Sequence, residues 1–215
     1  MKSSWREIIT NFNSENIFTL IENIYNDDNK IYPDRNNVFH CFDFCEIDEI
    51  NVVILDQDPY YSKNHASGLA FATLNKDLPP SLNNIKKLLK SDLNIELNNP
   101  NLENWASQGV LLLNSSLTVE ENKPGSHIKL WNKFIDYIIN ILSERKNIVF
   151  IAWGAFAFKK LENIDLINNK LIVSSHPSPL SCNKKFRNFP SFNDSKIFSR
   201  TNLLLLTLNK KEIEW

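Results

Sequence analysis

The chain is short of glycine, with four among 215 residues. Each of the four is therefore expected where the backbone adopts a conformation that a side chain forbids. Cysteine is rarer still. Cys41, Cys45 and Cys182 make an odd number, and Cys41-x-x-x-Cys45 has no matching second pair. That spacing excludes the usual four-ligand zinc site; free thiols in a reducing compartment fit best. No window approaches the roughly 18 apolar residues of a membrane span, and the apolar burst at 203–206 belongs in a core helix. The opening segment MKSSWREIITNFN is too polar for a secretory signal. The chain also lacks a decisive net charge. A formal value of −1 neither calls for nucleic acid nor forbids it.

What charge there is lies unevenly. Residues 1–60 carry twelve acidic and four basic side chains, so the remainder is basic. The densest cationic stretch is 183–200, where Lys184, Lys185, Arg187, Lys196 and Arg200 face one acid, Asp194. A locally basic face on a neutral protein can bind phosphate; it can equally be a solvated loop.

The length fits one domain spanning 1–215, and no repeat, low-complexity tract or linker divides it. Ser3 and Ser4 can cap a first helix, and 14–25 has helical apolar spacing. Four short apolar runs, 52–55, 110–113, 148–152 and 171–173, read as strands. Helical patterns lie between and after them at 81–89, 128–142, 155–161 and 195–208. Such alternation predicts an α/β domain with a parallel sheet and helices on both faces. Ligands of such sheets bind beyond the carboxyl ends of the strands. Here those ends carry Asp56-Gln57-Asp58-Pro59-Tyr60, Asn114-Ser115-Ser116, Trp153-Gly154-Ala155 and the run from Ser174 to Pro179. Polar groups costly in a core gather where a site belongs.

Segments of the chain match a known pattern. QDPY (57–60), GLAF (68–71), LLLN (111–114) with LTV (117–119), SH (126–127) and HPSPLS (176–181) occur in that order. Together they resemble the signature segments of family-1 uracil-DNA glycosylases. WREII near the start, LPPS (78–81) and WG (153–154) resemble that family too, so the likeness runs from Trp5 to about residue 206. It implies a single α/β domain with a central four-stranded parallel twisted sheet flanked by helices. It also implies an enzyme, without metal or cofactor, that removes uracil from DNA after flipping the base and so starts base-excision repair.

The resemblance distributes roles residue by residue. Leu180 matches the wedge that fills the vacated stack. Pro79, Pro80, Ser81, Ser178 and Ser181 match groups that hold the DNA backbone. Asn114 matches the base-reading amide, Phe71 the ring that stacks on the base, and Tyr60 the side chain that crowds C5 and excludes thymine. Asp58 matches the carboxylate that stabilises a cationic sugar and orients water. His176 matches the donor to uracil O2, aided by the backbone N–H groups near Gln57, and His127 matches a supporting histidine.

Several positions depart from the family pattern. Asp56 stands where glycine is usual, and an added carboxylate there is expected to weaken DNA affinity or push the Asp58 pKa upward. Tyr61-Ser62 replaces His-Gly, His65-Ala66 replaces Gln-Ala, and Ala155 replaces a phosphate-contacting serine. The segment after HPSPLS is longer than usual by about six residues. Its mixed cations and aromatics, with Lys184, Lys185 and Arg187 foremost, are expected to grip DNA through charge and stacking. Two rivals stay open at this point. One is a glycosylase-like DNA-binding scaffold of a replication complex; the other is a metal-dependent phosphoesterase built on Asp56 and Asp58. The expected partners are uracil-containing single- or double-stranded DNA and a small DNA-mimicking inhibitor protein, with no membrane. A monomer in the cytoplasm, or in the nucleus of a eukaryotic or viral host, is expected.

Overall fold

The computed structural model describes residues 1–12, 14–26 and 28–215. Its centre is a sheet of four parallel strands: β2 (Val52–Asp56), β3 (Val110–Asn114), β5 (Val149–Trp153) and β6 (Lys170–Ser174), in the order β3-β2-β5-β6. A small antiparallel ribbon pairs β1 (Ile31–Tyr32) with β4 (Val119–Glu120). The four expected strands are all present. Three of them run further into the polar residues than the apolar runs alone indicate, because ladder hydrogen bonds continue after the hydrophobic pattern stops. Val52, Val53, Ile54 and Leu55 are fully buried, as a strand covered on both faces requires.

Helices cover that sheet: α1 (Ser3–Asn11), α2 (Ser14–Tyr25), α3 (Pro80–Leu93), α4 (Glu103–Ala106), α5 (Ile128–Glu144), α6 (Gly154–Leu161) and α7 (Ile197–Thr207). The long amphipathic α5 buries Trp131, Phe134, Ile135, Ile138, Ile139 and Leu142. Helix α3 starts on Pro80 with Pro79 at its cap. Proline suits that position because its missing N–H would have had no partner in the first turn. Ser81 is thereby fixed in the first turn, beside the strand ends.

The serine cap expected for α1 is corrected. Lys2 takes the cap position with no side-chain cap bond, and both serines lie inside the first turn. The orphan N–H groups of that turn are met from a distant loop instead. Glu46 accepts from Ser4 N–H at 2.9 Å and from Ser3 N–H at 3.3 Å. The Ser4 hydroxyl and both N–H groups favour the charged form, and the Glu46 carboxyl is held down at about 2.

The chain enters the sheet at β2, steps to β3 on one side, then crosses to β5 on the other. The reversal point lies between β2 and β5, where an open α/β sheet leaves a crevice at its carboxyl end.

Candidate active site

Three chain segments meet at that crevice, the first of them leaving the end of β2. A cavity of about 630 Å³ is lined by residues 56–62, His65, residues 77–81, His176 and residues 178–180. The QDPY loop is tied to the neighbouring strand: Ser115 N–H donates to the Asp56 carbonyl and Ser116 N–H to that of Gln57, both at 2.9 Å. These bonds extend the β2–β3 ladder and fix the direction in which Asp58 leaves the sheet.

Asp58 Oδ2 accepts from the backbone N–H of Gly125, and Oδ1 accepts from Gln57 Nε2 at 3.4 Å. Gly125 has φ of +79°, a region open chiefly to glycine, which lets its N–H face the carboxylate. Burial pushes the Asp58 pKa upward; the Gly125 N–H pulls it down, and the charge of Asp56 raises it further. The expected upward push from Asp56 is therefore present.

Asn114 ends β3 in register with Asp56. It is 3% exposed, and its Oδ1 is buried with no hydrogen-bond partner among the described residues. An acceptor left so is costly unless something else supplies a donor. Phe71, also 3% exposed, has φ of +64°. Its ring meets Trp153 edge-on at 4.8 Å and lies 5.9 Å from the His176 ring. Tyr60 is locked by its hydroxyl, which donates to the Phe71 carbonyl at 3.1 Å. Burial pushes its phenol well up, so it stays neutral.

His176 is held from three sides. Ser178 N–H donates to Nδ1 at 3.0 Å. A neutral ring accepting at Nδ1 carries its proton on Nε2, and that nitrogen lies 3.4 Å from Asp56 Oδ1. Gly154 packs against the ring's base: a Cβ there would sit 2.9 Å from His176 Cβ, and its φ is +88°. The rest of the HPSPLS loop is internally bonded. Ser178 and Ser181 share a hydroxyl contact of 2.8 Å, and the Ser181 hydroxyl donates to the His176 carbonyl at 3.0 Å. Leu180, between them, is 82% exposed.

His127 sits apart from this group. Its Nδ1 contacts the Thr118 hydroxyl at 2.9 Å, and Nε2 lies 3.7 Å from Glu120. Burial, the largest influence, lowers its pKa. It thus braces the segment that carries Gly125. Asp56 and Asp58 are bound to different partners, an arrangement that gives the phosphoesterase reading no support. Among the described residues no group of three or more His, Cys, Asp or Glu side chains stands together as a metal site.

The segment after HPSPLS differs from the expected DNA-stacking loop. Phe192 is fully buried against Trp153, with ring centres 5.3 Å apart. Phe186 and Phe189 stack on each other, and Phe158 of α6 meets the first edge-on and the second at a tilt. These rings are packing, because apolar area gains more from α6 than from solvent. Lys184, Lys185 and Arg187 are exposed and lie outside the groove. The Arg187 guanidinium rests over the Phe158 and Phe186 rings at 5.0 and 5.4 Å.

One contributor was not singled out from sequence. Asn84 on α3 is buried and donates to the Pro177 carbonyl at 2.8 Å, tying the Ser81 helix to the HPSPLS loop. The available signal was a polar residue on the stripe formed by Leu82, Ile85, Leu88 and Leu89.

Comparison with known proteins agrees with this geometry. The profile of the Uracil DNA glycosylase superfamily matches residues 42–196. A protein from Flavobacterium johnsoniae named uracil-DNA glycosylase is 41% identical over 222 residues, covering 100% of this chain and 98% of its own. Listeria innocua uracil-DNA glycosylase 1 is 44% identical over 194 residues, covering 88% and 85%. Among solved structures, mimivirus uracil-DNA glycosylase superposes with a TM-score of 0.90 at 29% identity, over 100% of this chain and 87% of that one. A mimivirus UNG variant in complex with UGI gives 0.90 at 30% identity, over 100% and 88%.

Proposed function

The chain belongs to the uracil DNA glycosylase superfamily and is a DNA-repair enzyme that excises uracil from DNA, and we propose how its residues divide that work. The observation that carries the assignment is the buried Oδ1 of Asn114, without a partner among the described residues. It is an acceptor suited to uracil N3–H, with the amide nitrogen left to donate to O4. Cytosine presents the opposite pair and leaves buried polar groups mismatched.

The base reaches that amide by leaving the helix. Leu180, exposed at the tip of its loop, fills the gap, while Pro79, Pro80, Ser81, Ser178 and Ser181 hold the flanking phosphates. Lys184, Lys185 and Arg187 add sequence-independent attraction to the strand. Phe71 stacks on the flipped ring, and Tyr60, anchored by its hydroxyl, stands against C5 where thymine carries a methyl.

The bond from C1′ of the sugar to N1 of uracil then breaks with its electron pair leaving on the base. Negative charge gathers on O2, where the Nε2–H of His176 and the Gln57 N–H donate. Positive charge develops on the sugar beside Asp58. A water oriented by Asp58 adds to C1′ and passes its proton to that carboxylate, which returns it to solvent, and the uracil anion takes a proton from solvent on release. His127 supports the segment that presents Gly125.

The mimivirus complex with UGI supports a protein partner for this chain as well, and a DNA-mimicking inhibitor is the expected kind. The free, buried thiols fit a reducing compartment such as cytoplasm or nucleus. No helix among the described residues is long and apolar enough to cross a membrane. The enzyme is expected to act as a monomer.

The test is a single-stranded oligonucleotide with one uracil, incubated in EDTA and then heated with alkali. Cleavage at uracil alone is the expected result. No cleavage favours a DNA-binding scaffold, and activity that returns only with Mg²⁺ favours a phosphoesterase. A second outcome concerns His176. Gly154→Ala places a Cβ against the ring, and turnover is expected to fall by about 10-fold or more, since small misplacements of a reacting group are costly. DNA binding, read by fluorescence anisotropy, should hold. Unchanged turnover would show that Gly154 does not set the ring's position.

A further inference from the structure

We propose that Asp56 is a built-in competitor for the uracil O2 site, and that its carboxylate must turn aside before the base seats and helps expel the base afterwards. This rests on the assignment of His176 and the Gln57 N–H as the donors to O2.

Both of those donors already share one acceptor. Asp56 Oδ1 takes the Gln57 N–H at 2.8 Å and faces His176 Nε2 at 3.4 Å. The Ser178 N–H on Nδ1 makes Nε2 the donor, so both bonds run toward the carboxylate. Asp56 Oδ1 therefore stands in for a carbonyl oxygen that is gaining negative charge. Its position supports this role. Asp56 and Asn114 are register partners in adjacent parallel strands, and such partners project from the same face of a sheet. The carboxylate thus emerges on the side of the base-reading amide, and it lines the groove. A glycine at this position would leave both donors free.

Two consequences follow from competition for one pair of donors. Uracil O2 can take them only when Asp56 rotates off, and the looser 3.4 Å contact is the one that opens first. After cleavage the base is an anion, and a nearby carboxylate that can return to the same donors opposes its retention. Like charges in a partly buried site repel more strongly than in water. The enzyme should therefore be weakly inhibited by its own product.

The experiment compares the wild-type protein with Asp56→Gly and Asp56→Asn, using free uracil as the probe. The inhibition constant for uracil is measured against excision from a uracil-containing oligonucleotide. Asp56→Gly should bind free uracil on the order of 10-fold more tightly. Asp56→Asn, which keeps the shape and loses the charge, should fall between the two. The second variant also decides the matter if the glycine variant does not fold. A wild-type enzyme that excises uracil, with variants whose uracil inhibition is unchanged or weaker, overturns this inference alone. Absence of excision in all three proteins overturns the underlying assignment of the site and this inference with it.

Discussion

Asp58→Asn is expected to lower turnover on uracil-containing DNA by about 10²–10⁴-fold, the range for removing a positioned charged group, while the DNA still binds. The amide keeps the shape that receives the Gly125 N–H but has no negative charge to set against a cationic sugar. Single-turnover kinetics and anisotropy on the same oligonucleotide separate the two effects. Retained turnover would remove Asp58 from the mechanism.

The pH dependence follows from the same side chain. Burial and the neighbouring Asp56 hold the Asp58 pKa above its ordinary value, against the pull of Gly125 and Gln57. In the proposed mechanism Asp58 acts as the carboxylate, so activity should fall as pH drops through a value higher than an exposed aspartate would give. A raised folded-state pKa also costs stability. The cost is absent below the unfolded pKa of about 3.9, grows as pH rises to the folded value, and is complete above it. Asp58→Asn should thus raise Tm at neutral pH and lose that advantage in acid. Thermal melts at the two ends of this range check the sign.

The second large effect is on the choice of base. Asn114→Asp places a carboxyl at a position only 3% exposed, where burial favours the protonated form. A protonated carboxyl offers one donor and one acceptor, which suits cytosine N3 and its amino group. A site built on hydrogen bonds rejects a mismatched analogue by about 10⁴–10⁵-fold. The uracil-to-cytosine ratio in kcat/KM is therefore expected to fall by about 100-fold or more. Matched oligonucleotides differing only at that base measure it. An unchanged ratio would mean that another group reads the base.

Much of this fold was legible because its signals are local. Four short apolar runs, each bounded by polar residues and alternating with helical patterns, pointed to strands of a parallel sheet, and α5 declares itself by its spacing. The scarcity of glycine was informative too: Gly68, Gly109, Gly125 and Gly154 all have positive φ. Pairings between distant residues were not legible. Nothing near Ser3 shows that Glu46 will cap its helix, and nothing near Asp58 names Gly125 as its donor. The Phe186 and Phe189 rings looked like stacking faces because sequence shows aromaticity without showing what covers it. Asp56 was visible as a departure, yet it takes the fold to bring its oxygen onto the donors assigned to the base. Motifs indicated which side chains to propose for the chemistry; contacts between loops indicate how they are held.

The most direct measurement is mass spectrometry of the reaction on a single-uracil oligonucleotide in heavy-oxygen water with EDTA. The expected products are one free uracil per abasic site, one heavy oxygen on the sugar at C1′, and an unbroken strand before alkali. Strand breakage without alkali, an abasic product lacking the heavy oxygen, or no release of uracil would contradict it.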